Sequence, residues 1–324
     1  MKLAFLFPGQ GAQKVGMGRA LAEGFAVARE IFERADRALS VPLSTLCWEG
    51  PADELKKSLN TQPALLTHSI AAWQLVHRAG LEPSWVAGHS LGEYSACVAA
   101  GAIEFEDALR LVRRRGELMY QAGLERPGTM AAFLGLEAAV VEEICREAAS
   151  AGIVAAANWN APGQVVVSGE IPAVERACEL ARARGAKRAV RLEVSGAFHS
   201  PLMATAAAGL AAALDAVTFR DPRCPVVVNV SAAPLATAAE LRAALGSQLL
   251  GAVRWEDSMR RLRSLGAEGF VELGSGTVLR GLLRTLDRQA PSWNVEDLES
   301  LRSTLAALGA SASVAATPVP DRQA

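Results

Sequence analysis

Aromatic residues are scarce in this chain, 5% of 324 residues with only two tyrosines. Single-stranded nucleic acid is usually gripped by aromatic platforms flanked by clustered cations. Here the charges balance, with 33 Lys and Arg against 34 Asp and Glu and a formal net charge of −1, so no nucleic-acid partner is expected. The run Arg113-Arg114-Arg115 is local. No apolar stretch reaches the ~18 residues of a membrane span, and no basic amphipathic segment points to a membrane surface. The opening Met1-Lys2-Leu3-Ala4-Phe5-Leu6-Phe7 is broken at once by Pro8-Gly9-Gln10-Gly11, which argues against a signal peptide. The five cysteines (Cys47, Cys97, Cys145, Cys178 and Cys224) are scattered and odd in number, without C-x-x-C spacing. No metal site and no disulfide framework is expected from them, and they read as small apolar fillers in a cytoplasmic protein. Histidine is also rare, at four residues, so candidates for a catalytic base are few.

The most informative feature present is Gly88-His89-Ser90-Leu91-Gly92. It follows the apolar Trp85-Val86-Ala87 and precedes the helix-like Glu93–Ala100 stretch. That is the strand–turn–helix setting of a G-x-S-x-G nucleophile. A serine on so tight a turn is pushed out toward ligand, and the amides opening the next helix favour negative charge beside it. The chemistry this predicts is acyl transfer through a serine ester.

Apolar runs alternate with helical patterns on both sides of this elbow. Strands are predicted at 3–7 and 84–87, with helices at 18–38, 62–79 and 105–122; Pro63 is placed near a first helical turn and Gly80 at a helix end. The alternation predicts a parallel, helix-covered sheet. From 126 the pattern becomes strand (129–134), helix (137–150), strands (153–157 and 164–168) joined by a turn at Asn160-Ala161-Pro162-Gly163, helix (171–184) and strand (187–194). This β-α-β-β-α-β order is the split, ferredoxin-like unit. After 197, helices are expected at 201–215, 238–250, 254–265 and 276–287, and strands at 225–230 and 269–272. The expected architecture is therefore α/β. A large α/β-hydrolase-like domain (1–125 and 196–308) with a parallel sheet carries an inserted small ferredoxin-like α+β subdomain (126–195). Residues 309–324, small, polar and proline-bearing, are expected to be a disordered tail.

Three further features sharpen the elbow. His199, in Ser195-Gly196-Ala197-Phe198-His199-Ser200-Pro201, lies in a loop where a base can reach another loop. His68 and His77 fall inside helical patterns and read as structural, and His89 should point away from its neighbour Ser90. Gly9-Gln10-Gly11, after a strand, can offer amides to an oxyanion. Arg115 on the helix beyond the elbow can hold a carboxylate in a bidentate fork.

Phe7-Pro8-Gly9-Gln10-Gly11-Ala12-Gln13, Gln62-Pro63-Ala64, Gly88-His89-Ser90-Leu91-Gly92-Glu93, Asn158-Trp159-Asn160-Ala161-Pro162-Gly163-Gln164, Gly196-Ala197-Phe198-His199-Ser200 and Val253-Arg254-Trp255 occur in this order. Together they resemble the malonyl-CoA:acyl-carrier-protein transacylase family, which includes polyketide synthase acyltransferases, from about residue 3 to 287. The resemblance implies Ser90 as nucleophile, His199 as general base and Gln248 as the residue that helps orient it. It implies the amides of Gln10 and Leu91 as oxyanion donors and Arg115 as partner of the malonyl carboxylate. Gln62 and Asn160 are implied as pocket-lining. Phe198, one residue before the base, is expected to crowd the α-carbon and favour malonyl over methylmalonyl groups.

The resemblance implies a ping-pong transfer from malonyl-CoA to the phosphopantetheine thiol of an acyl carrier protein, for fatty-acid or polyketide synthesis. No cofactor is called for, and a monomer is expected. No acidic third member is evident, so the histidine is expected to bond a neutral acceptor near Gln248. Two alternatives stand beside this reading. A serine esterase or thioesterase would need an acid between serine and histidine, for which Asp107 is the formal candidate. A non-catalytic carrier-docking protein would have no use for Ser90, His199 and Arg115.

Overall fold

The computed structural model describes residues 1–310; positions 311–324, and with them most of the expected tail, lie outside the described residues. Residues 309 and 310 belong to the folded part: the Ala310 amide bonds to the Leu305 carbonyl at 2.8 Å.

The first strand, β1 (Leu3–Phe7), is buried along its whole length. Its side chains alternate between two clusters. Leu3, Phe5 and Phe7 face one, with helices α2 (Ala26–Leu39) and α5 (Ser58–Arg78). Ala4 and Leu6 face the other, with α12 (Trp255–Ser264) and α13 (Val278–Leu286). A strand covered on both faces has no need of polar alternation, which is why it reads as one apolar run. Each fully buried Leu or Phe contributes about 1.5–3 kcal/mol. The sheet has six strands in the order β10 (Ser292–Val295), β9 (Gly269–Leu273), β1, β2 (Trp85–Gly88), β7 (Val226–Val227), β8 (Pro234–Leu235). All pairings are parallel except β7 with β8.

A separate antiparallel sheet has the order β4 (Val154–Ala161), β5 (Gln164–Glu170), β3 (Gly128–Leu134), β6 (Arg188–Arg191). Helices α8 (Ala138–Ala148) and α9 (Ile171–Ala183) cover one face through Phe133, Val167, Ile144 and Ala177. From the other face Met130, Ala157 and Val166 join the main core beside Phe198. Edge strand β4 is sewn to the rest of the molecule at Val253. The Trp159 amide donates to the Val253 carbonyl at 2.9 Å, and the Val253 amide donates to the Ala157 carbonyl at 2.8 Å.

Several expectations need correction. The helical pattern over 18–38 is two helices, α1 (Arg19–Gly24) and α2, broken at Phe25, whose backbone is extended. Two short helices precede α5: α3 (Leu43–Glu49) and α4 (Ala52–Lys56). Pro63 is inside α5, not in its first turn. A proline there leaves the carbonyl four residues back without a partner, and Arg113 Nη1 supplies one, donating to the Leu59 carbonyl at 3.2 Å. Asn160 and Ala161 belong to β4, so the turn is confined to Pro162-Gly163. The strand expected over 225–230 is ladder-paired only at Val226–Val227. β8, β10 and α14 (Leu298–Ala307) were not foreseen. α14 starts from a capping box in which Asp297 and Ser300 bond each other's amides. Elements α6 (Gly92–Ala99), α7 (Phe105–Glu125), α10 (Ala204–Asp215) and α11 (Ala238–Gln248) complete the chain.

Candidate active site

Ser90 sits in the turn between β2 and α6 with φ 51°, the left-handed region that a non-glycine residue adopts only when held there. The turn is possible because its neighbours lack side chains. A Cβ on Gly88 would stand 1.9 Å from the Gly92 carbonyl carbon, and one on Gly92 would stand 2.0 Å from the Phe7 carbonyl oxygen. Ser90 Oγ lies 2.7 Å from His199 Nε2. His199 is also left-handed, at φ 55°. Its Nδ1 faces two main-chain carbonyls, Gln248 at 3.0 Å and Gly251 at 3.2 Å. Two acceptors fix the proton on Nδ1, so Nε2 is the free base and the serine hydroxyl donates to it.

Arg115 completes the centre. It lies on the buried stripe of α7, with Ala108, Val112 and Met119, and is 1% exposed. Its Nη1 donates to Gln62 Oε1 at 2.8 Å; its Nη2 donates to Gln248 Oε1 at 2.9 Å and to Ser90 Oγ at 3.1 Å. The guanidinium lies over the Tyr94 ring, 5.5 Å from its centroid. Its Nε has no partner among the described residues. Its three bonded partners are neutral, whereas a buried cation is better matched by a carboxylate.

A cavity of about 370 Å³ opens beside this group. Gln10, Ser90, His199, Phe198, Met130 and Asn158 are on its wall, and at its rim Lys56 lies 3.8 Å from Glu193. Neither the Gln10 nor the Leu91 amide is bonded to another group among the described residues. Gln62 and Asn160 are not on the wall. Gln62 is fully buried between Arg115 and Met119. Asn160 Oδ1 accepts from His89 Nε2 at 2.8 Å. That bond, with Trp255 packed 5.5 Å from the His89 ring centroid, turns His89 away from the serine hydroxyl. Gln248 meets His199 through its main-chain carbonyl and not its side-chain amide, whose Nε2 donates to the Ser90 carbonyl at 2.9 Å. Asp107 is bonded to Arg110 at 2.7 Å, while both Nδ1 partners of His199 are carbonyls.

The profile of the acyl transferase domain family matches residues 4–304. The malonyl CoA-acyl carrier protein transacylase of Bacillus subtilis (strain 168) is 46% identical over 308 residues, 95% of this chain and 97% of that protein. The protein of the same description from Escherichia coli (strain K12) is 45% identical over 288 residues, 88% of this chain and 93% of that one. This chain belongs to the malonyl-CoA:acyl-carrier-protein transacylase family. Solved members superpose closely. The acyl-carrier-protein S-malonyltransferase of Bartonella henselae has a TM-score of 0.92 at 43% identity, over 95% of this chain and 100% of that one. A malonyl-transacylase in complex with a type II polyketide synthase acyl carrier protein also gives 0.92, at 42% identity over 95% and 100% of the two chains.

The electrostatics of this transacylase-family site follow from burial. His199 is pushed down to about 3, first by burial and then by the Arg115 cation. Burial also lowers His89 and Arg115, and Arg115 stays a cation because guanidinium is so basic. Glu93, the last residue of the elbow motif, is raised to about 7 by burial. Sequence reasoning gave no part to two buried polar residues at the elbow, Glu93 and Asn229, which are joined by a bond from the Asn229 amide to Glu93 Oε2 at 2.7 Å. Their signal was a carboxylate opening an otherwise apolar helix, and a single asparagine in the apolar run Val226–Val230. Among the described residues no group of three or more His, Cys, Asp or Glu is placed to hold a metal, and no helix is long and apolar enough to cross a membrane. Cys47, Cys97, Cys145 and Cys178 are buried, and Cys224 is half-buried.

Proposed function

We propose that this protein transfers a malonyl group from malonyl-CoA to the phosphopantetheine thiol of an acyl carrier protein, through a malonyl ester on Ser90. The observation that carries this reading is one buried constellation: a serine hydroxyl 2.7 Å from an imidazole nitrogen and 3.1 Å from a buried arginine. The curated relatives of this family and the carrier-bound solved neighbour support the same reading.

Ser90 Oγ attacks the thioester carbonyl and its proton passes to His199 Nε2. The oxyanion lies between the amides of Gln10 and Leu91, each worth a few kcal/mol in such a site. The carbon–sulfur bond breaks, and coenzyme A takes the proton from His199 as it leaves. The carrier thiol then gives its proton to His199, attacks the ester, and the proton returns to Ser90 Oγ. Arg115 selects the acyl group. Malonyl brings a carboxylate to a guanidinium that otherwise has only neutral partners, whereas acetyl brings none. Phe198 is the residue next to the base that bounds the space around the α-carbon.

The reaction needs no metal or other cofactor, and a cytoplasmic monomer in fatty-acid or polyketide synthesis fits the reading. The two sheets are read as an α/β-hydrolase-like domain (1–125 and 196–308) and an inserted ferredoxin-like subdomain (126–195). Esterase chemistry finds little support, because Asp107 is engaged by Arg110.

Intact mass after incubation with malonyl-CoA tests the proposal. Wild type should gain one malonyl group and lose it when carrier protein is added. Ser90→Ala should gain none, with transfer down at least ~10⁴-fold. Transfer by Ser90→Ala at a wild-type rate would overturn the serine mechanism.

A further inference from the structure

The elbow is held by a residue that no motif singled out. β7 pairs with β2 at Val86–Val226 and Ala87–Val227 and then leaves the ladder. Two residues on, the side chain of Asn229 continues what the backbone gives up. Its Oδ1 accepts from the Ser90 amide at 2.7 Å, and its Nδ2 donates to the Gly88 carbonyl at 2.7 Å. These two groups belong to the peptide units on either side of His89. The main chain of Asn229 is equally engaged. Its amide donates to Glu93 Oε2 at 2.7 Å, and its carbonyl accepts from the Arg254 amide at 3.0 Å. The residue is fully buried and every polar atom it has is bonded. A terminal amide accepts and donates at once whatever the pH; an ionised aspartate only accepts, and leucine or alanine does neither.

We propose that Asn229 is a positioning residue of this reaction: it clamps the peptide groups flanking His89 in the turn that aims Ser90 Oγ at His199, and Glu93 anchors it from the following helix. Without the clamp, the buried Ser90 amide and Gly88 carbonyl lose their partners, and the left-handed serine loses its restraint. The Ser90 carbonyl keeps its bonds from Gln248 Nε2 and the Glu93 amide, so the loss falls on the amide side of the turn. Arg115, which recognises the acyl carboxylate in the function proposed above, keeps a bond to Gln62 that does not involve the elbow. Gln248, which bonds both Arg115 and the Ser90 carbonyl, makes no bond to Asn229. Loss of the clamp should therefore slow the chemical step and leave substrate binding alone. A displacement of the reacting atoms by about 1 Å is worth roughly 100-fold.

The inference rests on the Ser90 reading, and the test separates the two. Asn229→Ala should lower kcat about 100-fold. It should slow labelling of Ser90 by a small sulfonyl fluoride in parallel, as read by intact mass. In a Ser90→Ala background, adding Asn229→Ala should change the calorimetric Kd for malonyl-CoA less than about threefold, since the guanidinium that meets the carboxylate keeps its own supports. Should Asn229→Ala not fold, Asn229→Leu roughly keeps the volume but loses both the acceptor for Ser90 and the donor to Gly88, and kcat should fall at least about tenfold with Kd held. A kcat near wild type in either variant, or a Kd that weakens in step with kcat, overturns the inference. If Ser90→Ala alone still transfers malonyl groups, the serine reading fails instead.

Discussion

Three strands of the parallel sheet lead to polar groups at the elbow and its cavity. β1 and β2 run to Gln10 and Ser90 on the cavity wall, and β7 runs to Asn229 behind the elbow. The antiparallel sheet contributes differently. Met130 and Asn158 line the wall, and the Leu192–Val194 segment after β6 borders it. Among the described residues, the one hydrogen bond this sheet makes to the elbow is that between Asn160 and His89. The difference follows from geometry. Parallel strands all present their carboxyl ends on one edge, where the helices that follow begin, so amides and catalytic side chains converge there. Antiparallel strands alternate in direction and gather no such edge. In the proposed reaction the first sheet carries the chemistry and the second shapes the space beside it.

That division predicts unequal costs of substitution. Arg115→Ala should reduce malonyl kcat/KM about 100- to 1,000-fold, the scale of a buried charge losing its partner. It should also bring acetyl and malonyl transfer closer together in a competition assay with both thioesters. A loss below tenfold would mean that the parallel-sheet side does not select the acyl group. Asn160→Ala, on the other sheet, should cost less than about tenfold in kcat/KM, because one neutral hydrogen bond to His89 is lost. A larger loss would give the antiparallel sheet a part in the chemistry itself. The smallest effect is a null one. His199, lowered to about 3, should show no imidazole titration between pH 8 and 5 by ¹⁵N resonance of the ring, with the proton on Nδ1 throughout. The sign follows from linkage. The unfolded chain takes up this proton near the usual 6.5 and the folded chain does not, so the native state loses stability as pH falls below 6.5 toward 3. Ring titration near 6.5 would contradict the burial that defines this side of the site.

Parts of this site were legible in the sequence because their causes are local. Gly88 and Gly92 announce a tight turn around Ser90, and Arg115 interrupts an apolar stripe spaced as Ala108, Val112 and Met119. Other parts act through atoms that sequence does not distinguish. Gln248 meets His199 with its main-chain carbonyl, which every residue has. Pro63 looked like a helix start because its missing bond is made good by Arg113, fifty positions away. β10 is Ser-Trp-Asn-Val, too short and too polar to show a period, and β9 pulls it into the sheet. The family resemblance supplied roles for Gln62 and Asn160, but their places behind the wall came only from packing.

The two carbonyls behind His199 have a consequence for what the proposed acyl-enzyme does in water. A histidine backed by a carboxylate is a strong enough base to activate water, whose pKa is about 15.7. One backed by neutral oxygens and faced by Arg115 is a feeble base. A feeble base is adequate for a thiol, whose pKa is near 8.5, and poorly matched to water. In this structure Arg115 donates to the Ser90 oxygen. In the proposed reaction the malonyl carboxylate takes over that guanidinium from binding onward, so Arg115 lends no acidity to a water that would attack the ester. The cargo then waits for sulfur while solvent passes by, and leakage to free malonate is held down by the weakness of the base.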